Sequence, residues 1–151
     1  MKIRRYFSLF LSILILPLFL LGMSSRPSEK DVSQDNIKGL VLKSLTQIES
    51  AYQAKNLAAF SDILDKAYAD SLGLQFSLEN LFLSTKELEL EFIFDSYLVD
   101  KDMVSVRCHW LKKIIDNAGV FSKEKGSSQL VFKKYFHDLK LLYFRQDNPF
   151  F

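Results

Sequence analysis

Cysteine, histidine, proline and glycine are all scarce in this sequence of 151 residues. Its one cysteine excludes an intramolecular disulfide framework and any multi-cysteine metal site. Its 3 prolines and 5 glycines exclude collagen-like and low-complexity chains. Apolar residues, in contrast, make up 48% of the chain, and phenylalanine alone occurs 14 times. A chain of this size and composition is expected to form one folded domain and not a disordered polymer.

The first 24 residues have the three-part layout of a secretory signal peptide. Three basic residues within the first five are followed by an apolar run over residues 7–23 and then by small residues. Cleavage is expected after Ser24 or one residue later. The alternative is an uncleaved membrane anchor, for which a run of 17 residues interrupted by Pro17 is short. We therefore predict an exported protein, periplasmic or secreted, that meets a membrane only if this segment stays attached.

The small positive charge of the sequence comes from that first segment. The chain has 20 Lys and Arg against 18 Asp and Glu, and residues 1–24 hold three basic and no acidic side chains. Loss of the segment leaves 17 basic against 18 acidic residues, a net charge of −1. No basic surface that would argue for nucleic-acid binding is then expected. Lys112 and Lys113 are expected to be solvated strand positions.

Hydrophobic periodicity divides the remaining chain into helices followed by strands. A polar linker is predicted over residues 25–34, which include Pro27. Apolar residues three and four apart then predict helices, and from Glu87 the period changes to two, which predicts antiparallel strands joined by turns. The predicted helices cover about 35–55, a short segment from residue 57 that Asn56 caps, and 78–86 after a break at Gly73 and a cap at Ser77. The predicted strands run from 87 to the turn at 99–102, and over 103–115, 128–136 and 139–146, with a long hairpin turn at 116–128.

The sequence contains four short motifs in addition to this hydrophobic periodicity. They are the end of the first helix over residues 51–57, Trp110 on the second strand, Gly126 with residues 130–132 after it, and the end of the chain over residues 138–150. Together they resemble the nuclear transport factor 2-like superfamily, which includes SnoaL-like and ketosteroid isomerase-like proteins. The resemblance covers residues 35–151. It implies an α+β fold in which N-terminal helices pack into a curved four-stranded antiparallel sheet, a cone-shaped, cystatin-like α+β roll.

The resemblance also implies a pocket between the helices and the sheet. Alternation along the strands predicts that the sheet face lining it is apolar, with polar groups only at Cys108, Trp110 and Tyr143. No carboxylate or histidine falls on that face, and the two histidines lack the spacing of metal ligands. We therefore predict no catalytic residue, no metal site and no cofactor. The candidate pocket residues are Tyr52, Phe92, Cys108, Trp110 and Tyr143.

The opposite face of the predicted sheet carries more apolar residues than is typical of a solvent-exposed face. Antiparallel sheets with one wet face alternate cleanly between apolar and polar residues, and contiguous exposed apolar area usually marks an interface. The candidate interface residues are Ile93, Leu111, Val131, Leu142 and Phe144. They predict a homodimer through this face, an arrangement that the resemblance also favours. The alternative is that the C-terminal segment or the hairpin at 116–128 covers the face.

Three functions stay open at this point, because the superfamily contains enzymes, ligand-binding domains and interaction domains. The first is an exported, non-catalytic domain that associates with itself or with another envelope protein. The second is a binder of a small apolar ligand inside the cone, and the third is a lyase or isomerase of the ketosteroid isomerase type. An open cavity of roughly 300 Å³ or more would favour a ligand, whereas a cone filled by side chains would favour association.

Overall fold

The described part of the chain begins with three helices. The computed structural model describes residues 29–68 and 70–151, with side chains described from residue 35 onward. The helices are α1 (Glu29–Gln53), α2 (Leu57–Ile63) and α3 (Ser71–Ser84). The predicted signal peptide and the first part of the predicted linker lie outside the described residues. None of these three helices is long and apolar enough to span a membrane.

Helix α1 is the predicted amphipathic helix, but it starts before its apolar stripe. Its buried side chains recur every three or four residues from Ile37 to Tyr52, as expected for a helix with one face against a core. The helix begins at Glu29. Residues 29–34 are therefore helical, although their polarity predicts a linker.

Amide and carboxylate side chains start the two shorter helices. Asn56 accepts a hydrogen bond from the backbone N–H of Ala59 and caps α2, as predicted. Asp70 accepts one from the N–H of Gly73, so α3 begins before the predicted cap at Ser77. The predicted break at Gly73 is wrong, because the missing side chain makes room for this cap. A Cβ atom at Gly73 would lie 2.5 Å from a carboxylate oxygen of Asp70.

Four antiparallel strands follow the helices in the spatial order β1-β2-β3-β4. They are β1 (Thr85–Asp100), β2 (Met103–Asp116), β3 (Phe121–Lys134) and β4 (Leu139–Gln146). Their number, order and direction confirm the predicted meander. Strand β3 starts earlier than predicted because the turn before it is tight. In that turn the Asp116 carboxylate accepts a hydrogen bond of 2.8 Å from the Val120 N–H.

The core lies between the helices and one face of the sheet, which we call the inner face; the opposite face is the outer face. Between the β-bulges, every second residue of a strand points to the inner face. The buried apolar side chains that the strands contribute are Leu88, Leu90, Val104, Val106, Cys108, Trp110, Leu130, Phe132, Leu139 and Leu141. The structure thus confirms the predicted α+β fold, with N-terminal helices packed against a four-stranded antiparallel sheet.

A β-bulge in β4 reverses the alternation near the end of the chain. Val131 pairs with Tyr143 while the next residue of β3 pairs with Leu141, so Leu142 is an extra residue in the ladder. The extra residue turns Tyr143 to the outer face and Phe144 toward the core, against which Phe144 packs. The predicted orientations, with Tyr143 in the pocket and Phe144 at the interface, are therefore wrong.

Side chains of α1 cover part of the free edge of β1. The Glu49 carboxylate accepts a hydrogen bond of 2.6 Å from the Phe92 N–H, and the Gln53 amide donates one of 3.1 Å to the Leu90 carbonyl. Burial raises the pKa of Glu49, while the bond from Phe92 opposes that shift. Unpaired edge groups are templates for pairing with another strand. These two contacts remove that template at the middle of β1.

Candidate functional site

Four of the five candidate pocket residues belong to one packed core. Tyr52, from α1, and Cys108, from β2, are fully buried, and Trp110 is 6% exposed. Phe92 lies opposite Trp110 in the ladder, is half-buried and packs against the same core. Tyr143 is separated from them on the outer face. The fold therefore brings Tyr52, Phe92, Cys108 and Trp110 together as core residues.

The penultimate residue of the chain is buried in this core. The Phe150 ring is fully buried and meets the rings of Phe60 and Phe144 edge-on, with centroid distances of 5.1 and 5.7 Å. Its centroid is also 6.4 Å from that of Tyr52, whose hydroxyl donates a hydrogen bond of 3.4 Å to the Phe150 carbonyl. The space expected to be a pocket is thus occupied here by the C-terminal segment of the chain itself.

Hydrogen bonds fix this C-terminal segment after β4. The Asp147 N–H donates to the Ser127 carbonyl at 3.2 Å, and the Asp147 carboxylate accepts from the Ser127 N–H at 3.0 Å. The side-chain oxygen of Asn148 accepts a bond of 2.9 Å from the Phe150 N–H. The two bonds with Ser127 anchor the segment to β3, and the bond with Asn148 shapes the turn that carries Phe150 inward.

Trp110 is held by a hydrogen bond and by a close glycine. Its indole N–H donates to the Ser128 hydroxyl at 3.1 Å, and that hydroxyl donates in turn to the Asp147 carbonyl. A Cβ atom on Gly126 would lie 2.5 Å from the Trp110 ring, so this position requires glycine. Strand β3, Trp110 and the C-terminal segment therefore form one connected unit.

An ion pair that sequence reasoning missed lies beside Trp110. The Lys112 side chain is only 1% exposed, so the prediction that it is solvated is wrong. Lys112 lies two residues after Trp110 on β2, and both side chains therefore point to the inner face. Its amine is 2.8 Å from the Glu124 carboxylate on β3 and 5.6 Å from the centroid of the Trp110 ring. The alternation along β2 already indicates that Lys112 faces inward. Glu124 could be predicted as its partner only if β3 were predicted to start near residue 121.

Burial keeps the Tyr52 phenol and the Cys108 thiol protonated. It raises the pKa of Tyr52, and the negative charge of Glu124 adds to the shift. Burial likewise raises the pKa of the Cys108 thiol to about 12, with a smaller contribution from Asp95. A phenol and a thiol shifted in this direction are poor bases and nucleophiles near neutral pH.

A histidine–aspartate pair lies on the outer face. The Nδ1 atom of His109 is 2.8 Å from an Asp95 carboxylate oxygen, and the His109 side chain is 62% exposed. Exposed pairs of this kind contribute little to stability, about 0–1 kcal/mol. Among the residues that the structure describes, no three Cys, His, Asp or Glu side chains are grouped so that they could hold a metal ion.

A groove of about 450 Å³ lies outside the core, between α1, α2 and the start of β4. Small residues such as Ala54 and Ala59 line it, and Lys140 borders it. The Lys140 amine is 3.1 Å from the Asp138 carboxylate and donates a hydrogen bond of 2.6 Å to the Asp62 carbonyl. The groove is open to solvent and has a mixed lining. It is therefore a different feature from the apolar pocket predicted inside the cone.

The five candidate interface residues differ in their exposure. Ile93 is 55% exposed on the outer face, and Leu111 and Leu142 are half-buried. Val131 also faces outward, yet it is only 4% exposed. Phe144, as described above, points inward. Ile93 is accordingly the most accessible of the five.

Neither segment expected as a cover lies over the outer face. The C-terminal segment carries Phe150 into the core, and the connection between β2 and β3 is the tight turn after Asp116. A β-bulge between Phe94 and Ser96 places Leu98 on the same face as Ile93, and Leu98 is 70% exposed. Among the described residues, the outer face therefore keeps accessible apolar side chains.

Solved structures from several bacteria share this architecture. No protein-family model matches the sequence, and no curated protein matches it. A conserved protein from Planctomyces limnophilus superposes with a TM-score of 0.65 at 11% identity, over 71% of this chain and 91% of that one. A nuclear transport factor 2-like superfamily protein from Salmonella enterica serovar Typhimurium gives 0.64 at 8% identity, over 77% and 93% of the two chains.

A third similar structure, from Streptomyces avermitilis, is named as a candidate dehydratase of the nuclear transport factor 2-like family. It superposes with a TM-score of 0.61 at 14% identity, over 73% of this chain and 94% of that one. Similarity at such low identity demonstrates a shared fold, and activities vary widely within one fold.

Proposed function

Since the chain has the nuclear transport factor 2-like fold, we propose that it is an exported, non-catalytic domain that works by association, pairing with a second copy through the outer face of its sheet. The observation that carries this proposal is the burial of Phe150 inside the cone, where a catalytic or ligand-binding relative would need space. Export is supported by the layout of the first 24 residues.

The partners of the inward polar groups support a non-catalytic role. The Trp110 N–H is bound by Ser128, the Lys112 amine by Glu124, and the Tyr52 hydroxyl by the Phe150 carbonyl. General acid–base catalysis needs a group of tuned pKa within reach of a substrate. Here the polar groups bind other parts of the chain instead, and they stabilise the core.

The accessible apolar side chains of the outer face support association. Ile93 and Leu98 lie on this face with 55% and 70% of their surfaces exposed. Single exposed apolar residues are common, but two on one face of β1, with half-buried Leu111 on the neighbouring strand, favour an interface. Pairing with a second copy would remove this area from water.

Binding of a small molecule is the second candidate function, and the groove between α1, α2 and β4 favours it. Its volume of about 450 Å³ is within the range of ligand sites, roughly 300–1,000 Å³. Its mixed lining suits a polar ligand better than the apolar one predicted from the sequence. This candidate and the association domain differ in whether the purified protein retains a ligand.

We expect Ile93→Glu to yield a folded monomer while the wild-type protein is a dimer. The substitution adds one buried charge from each copy to the interface without touching the core. Light scattering on size-exclusion fractions at micromolar concentration measures the mass, and circular dichroism confirms folding. Phe144→Glu should instead unfold the domain, because Phe144 packs against Phe150.

Leu72→Glu is the matched control. Leu72 is 80% exposed on α3, away from the sheet, so its charge should leave the dimer mass unchanged. A wild-type protein with the mass of one chain would contradict the proposed association. An Ile93→Glu variant that remains a dimer would exclude this face as the interface.

A further inference from the structure

The distribution of charge on the outer face points to one orientation of the pair: we infer that the two-fold axis of the dimer runs along β2, so that β1 of each copy lies over β3 of the other. This inference rests on the proposed self-association and adds the geometry of the contact. It assigns Glu91 and Lys125 as partners between the two copies.

Acidic and basic side chains are separated on this face. Along β1, the outward residues nearest the β2–β3 turn are Glu87, Glu89 and Glu91. Along β3, at the same end of the sheet, they include Lys123 and Lys125. The half of the outer face near the β2–β3 turn therefore has an acidic strand on one side of β2 and a basic strand on the other.

The strand register aligns these opposite charges level with each other. Glu91 pairs with Leu111 of β2, which pairs with Lys125, and Glu89 is likewise level with Lys123. Glu91 and Lys125 thus lie at the same height, each about 4.8 Å to one side of β2. A two-fold rotation about an axis along β2 exchanges the two sides and keeps the height. It therefore brings Glu91 of one copy over Lys125 of the other, twice per dimer.

The central strand supplies the apolar part of such a contact. Leu111 and Ile115 are the outward residues of β2 on either side of Lys113, and both lie at the axis, each against its own equivalent in the second copy. Arg107 and Lys113 lie on the same line, each opposite its own equivalent, and Glu89, 2.5 Å away in the same chain, balances the charge of Lys113. Neither Glu91 nor Lys125 has an ion-pair partner within the described part of the chain. Both side chains are exposed, so a second copy can reach them.

Other arrangements of two copies are disfavoured by the same residues. A two-fold axis across the strands at the level of Glu91 would place β1 over β1 and β3 over β3, so that Glu91 would face Glu91 and Lys125 would face Lys125. Like charges opposed in an interface cost affinity. Pairing through the edge of β1 is hindered by Glu49 and Gln53, which occupy its backbone groups.

Crosslinking tests the orientation directly. Glu91→Cys and Lys125→Cys variants carrying different affinity tags are co-expressed, purified together and treated with a short bismaleimide; each variant alone is treated in the same way. We expect crosslinked dimers only in the co-expressed sample, because position 91 faces position 125 of the other copy. The native Cys108 is fully buried and does not compete. Crosslinking of Glu91→Cys with itself would overturn the inference in favour of an axis across the strands.

Charge exchange gives a second, independent measurement of the same contact. Glu91→Lys and Lys125→Glu should each weaken the dimer at least about tenfold in Kd, because each turns two attractive contacts into two repulsive ones. The double variant should return to near the wild-type value. Sedimentation equilibrium measures the Kd of each single variant and of the double variant. Glu79→Lys and Lys66→Glu, which change exposed charges outside the sheet, should have no such effect.

The outcomes separate the orientation from the association. A wild-type dimer with no crosslink in the co-expressed sample, or with single charge variants that bind as tightly as the controls, overturns the orientation and leaves self-association standing. A wild-type monomer overturns both.

Discussion

Replacing Trp110 with alanine should leave little soluble, folded protein. Trp110 is 6% exposed at the middle of β2, and removal of a buried tryptophan costs about 3–5 kcal/mol of unfolding free energy. That is a large share of the roughly 5–15 kcal/mol that stabilises a domain. The side chain also covers Lys112, whose amine lies 5.6 Å from the ring centroid, and its N–H binds Ser128. The Lys112 amine and the Ser128 hydroxyl would each lose a contact in the variant.

His109→Ala is the matched control for this variant, because His109 is the neighbouring residue on the opposite face of β2. It is 62% exposed and paired with Asp95, so its loss should cost no more than about 1 kcal/mol. Urea unfolding monitored by circular dichroism measures both values. A soluble Trp110→Ala protein with the stability of His109→Ala would show that Trp110 is peripheral to the core.

Phe150→Ala should destabilise the domain by a similar amount, about 3–5 kcal/mol. The residue stands next to the C-terminus, where substitutions in most domains have little effect. Here, however, its ring is fully buried against Phe60 and Phe144. The variant tests whether the chain fills its own cone.

The adjacent phenylalanine provides the control. Phe151 is 48% exposed, so Phe151→Ala should change the free energy of unfolding by no more than about 0.5 kcal/mol. Thermal and urea unfolding of the two variants, side by side, give the comparison. Equal stabilities of Phe150→Ala and Phe151→Ala would contradict a structural role for the C-terminal segment.

The architecture could be predicted from the sequence because it depends on periodicity and on short connections. The stripe that ends at Tyr52 predicts α1, and the alternation from Glu87 predicts β1 and the strands after it. Turns as short as the one between β1 and β2 leave no choice but antiparallel neighbours. These signals are local, so they are present in one sequence without its structure.

The orientation of individual side chains could not be predicted where the ladder is irregular. The bulge at Leu142 exchanges the faces of Tyr143 and Phe144, and nothing in the local pattern of apolar residues marks it. A one-residue shift reverses every later side chain in a strand. The predicted faces of Tyr143 and Phe144, at the end of β4, are wrong for this reason.

Contacts between distant parts of the chain also escaped prediction. Lys112 can be buried because its amine pairs with the Glu124 carboxylate and lies over the Trp110 ring. Glu124 is in reach only because β3 begins at Phe121. Similarly, no periodicity distinguishes Phe150, which enters the core, from its exposed neighbour. Both cases depend on partners brought close by the tertiary fold.

Native mass spectrometry of the protein purified from its own host tests the central claim most directly, because it reports the number of chains and any retained ligand together. We predict a complex with twice the mass of the single chain that the same sample gives under denaturing conditions, with no additional mass. A complex with the mass of one chain at micromolar concentration would contradict association, and a retained small molecule would contradict a domain that acts by association alone.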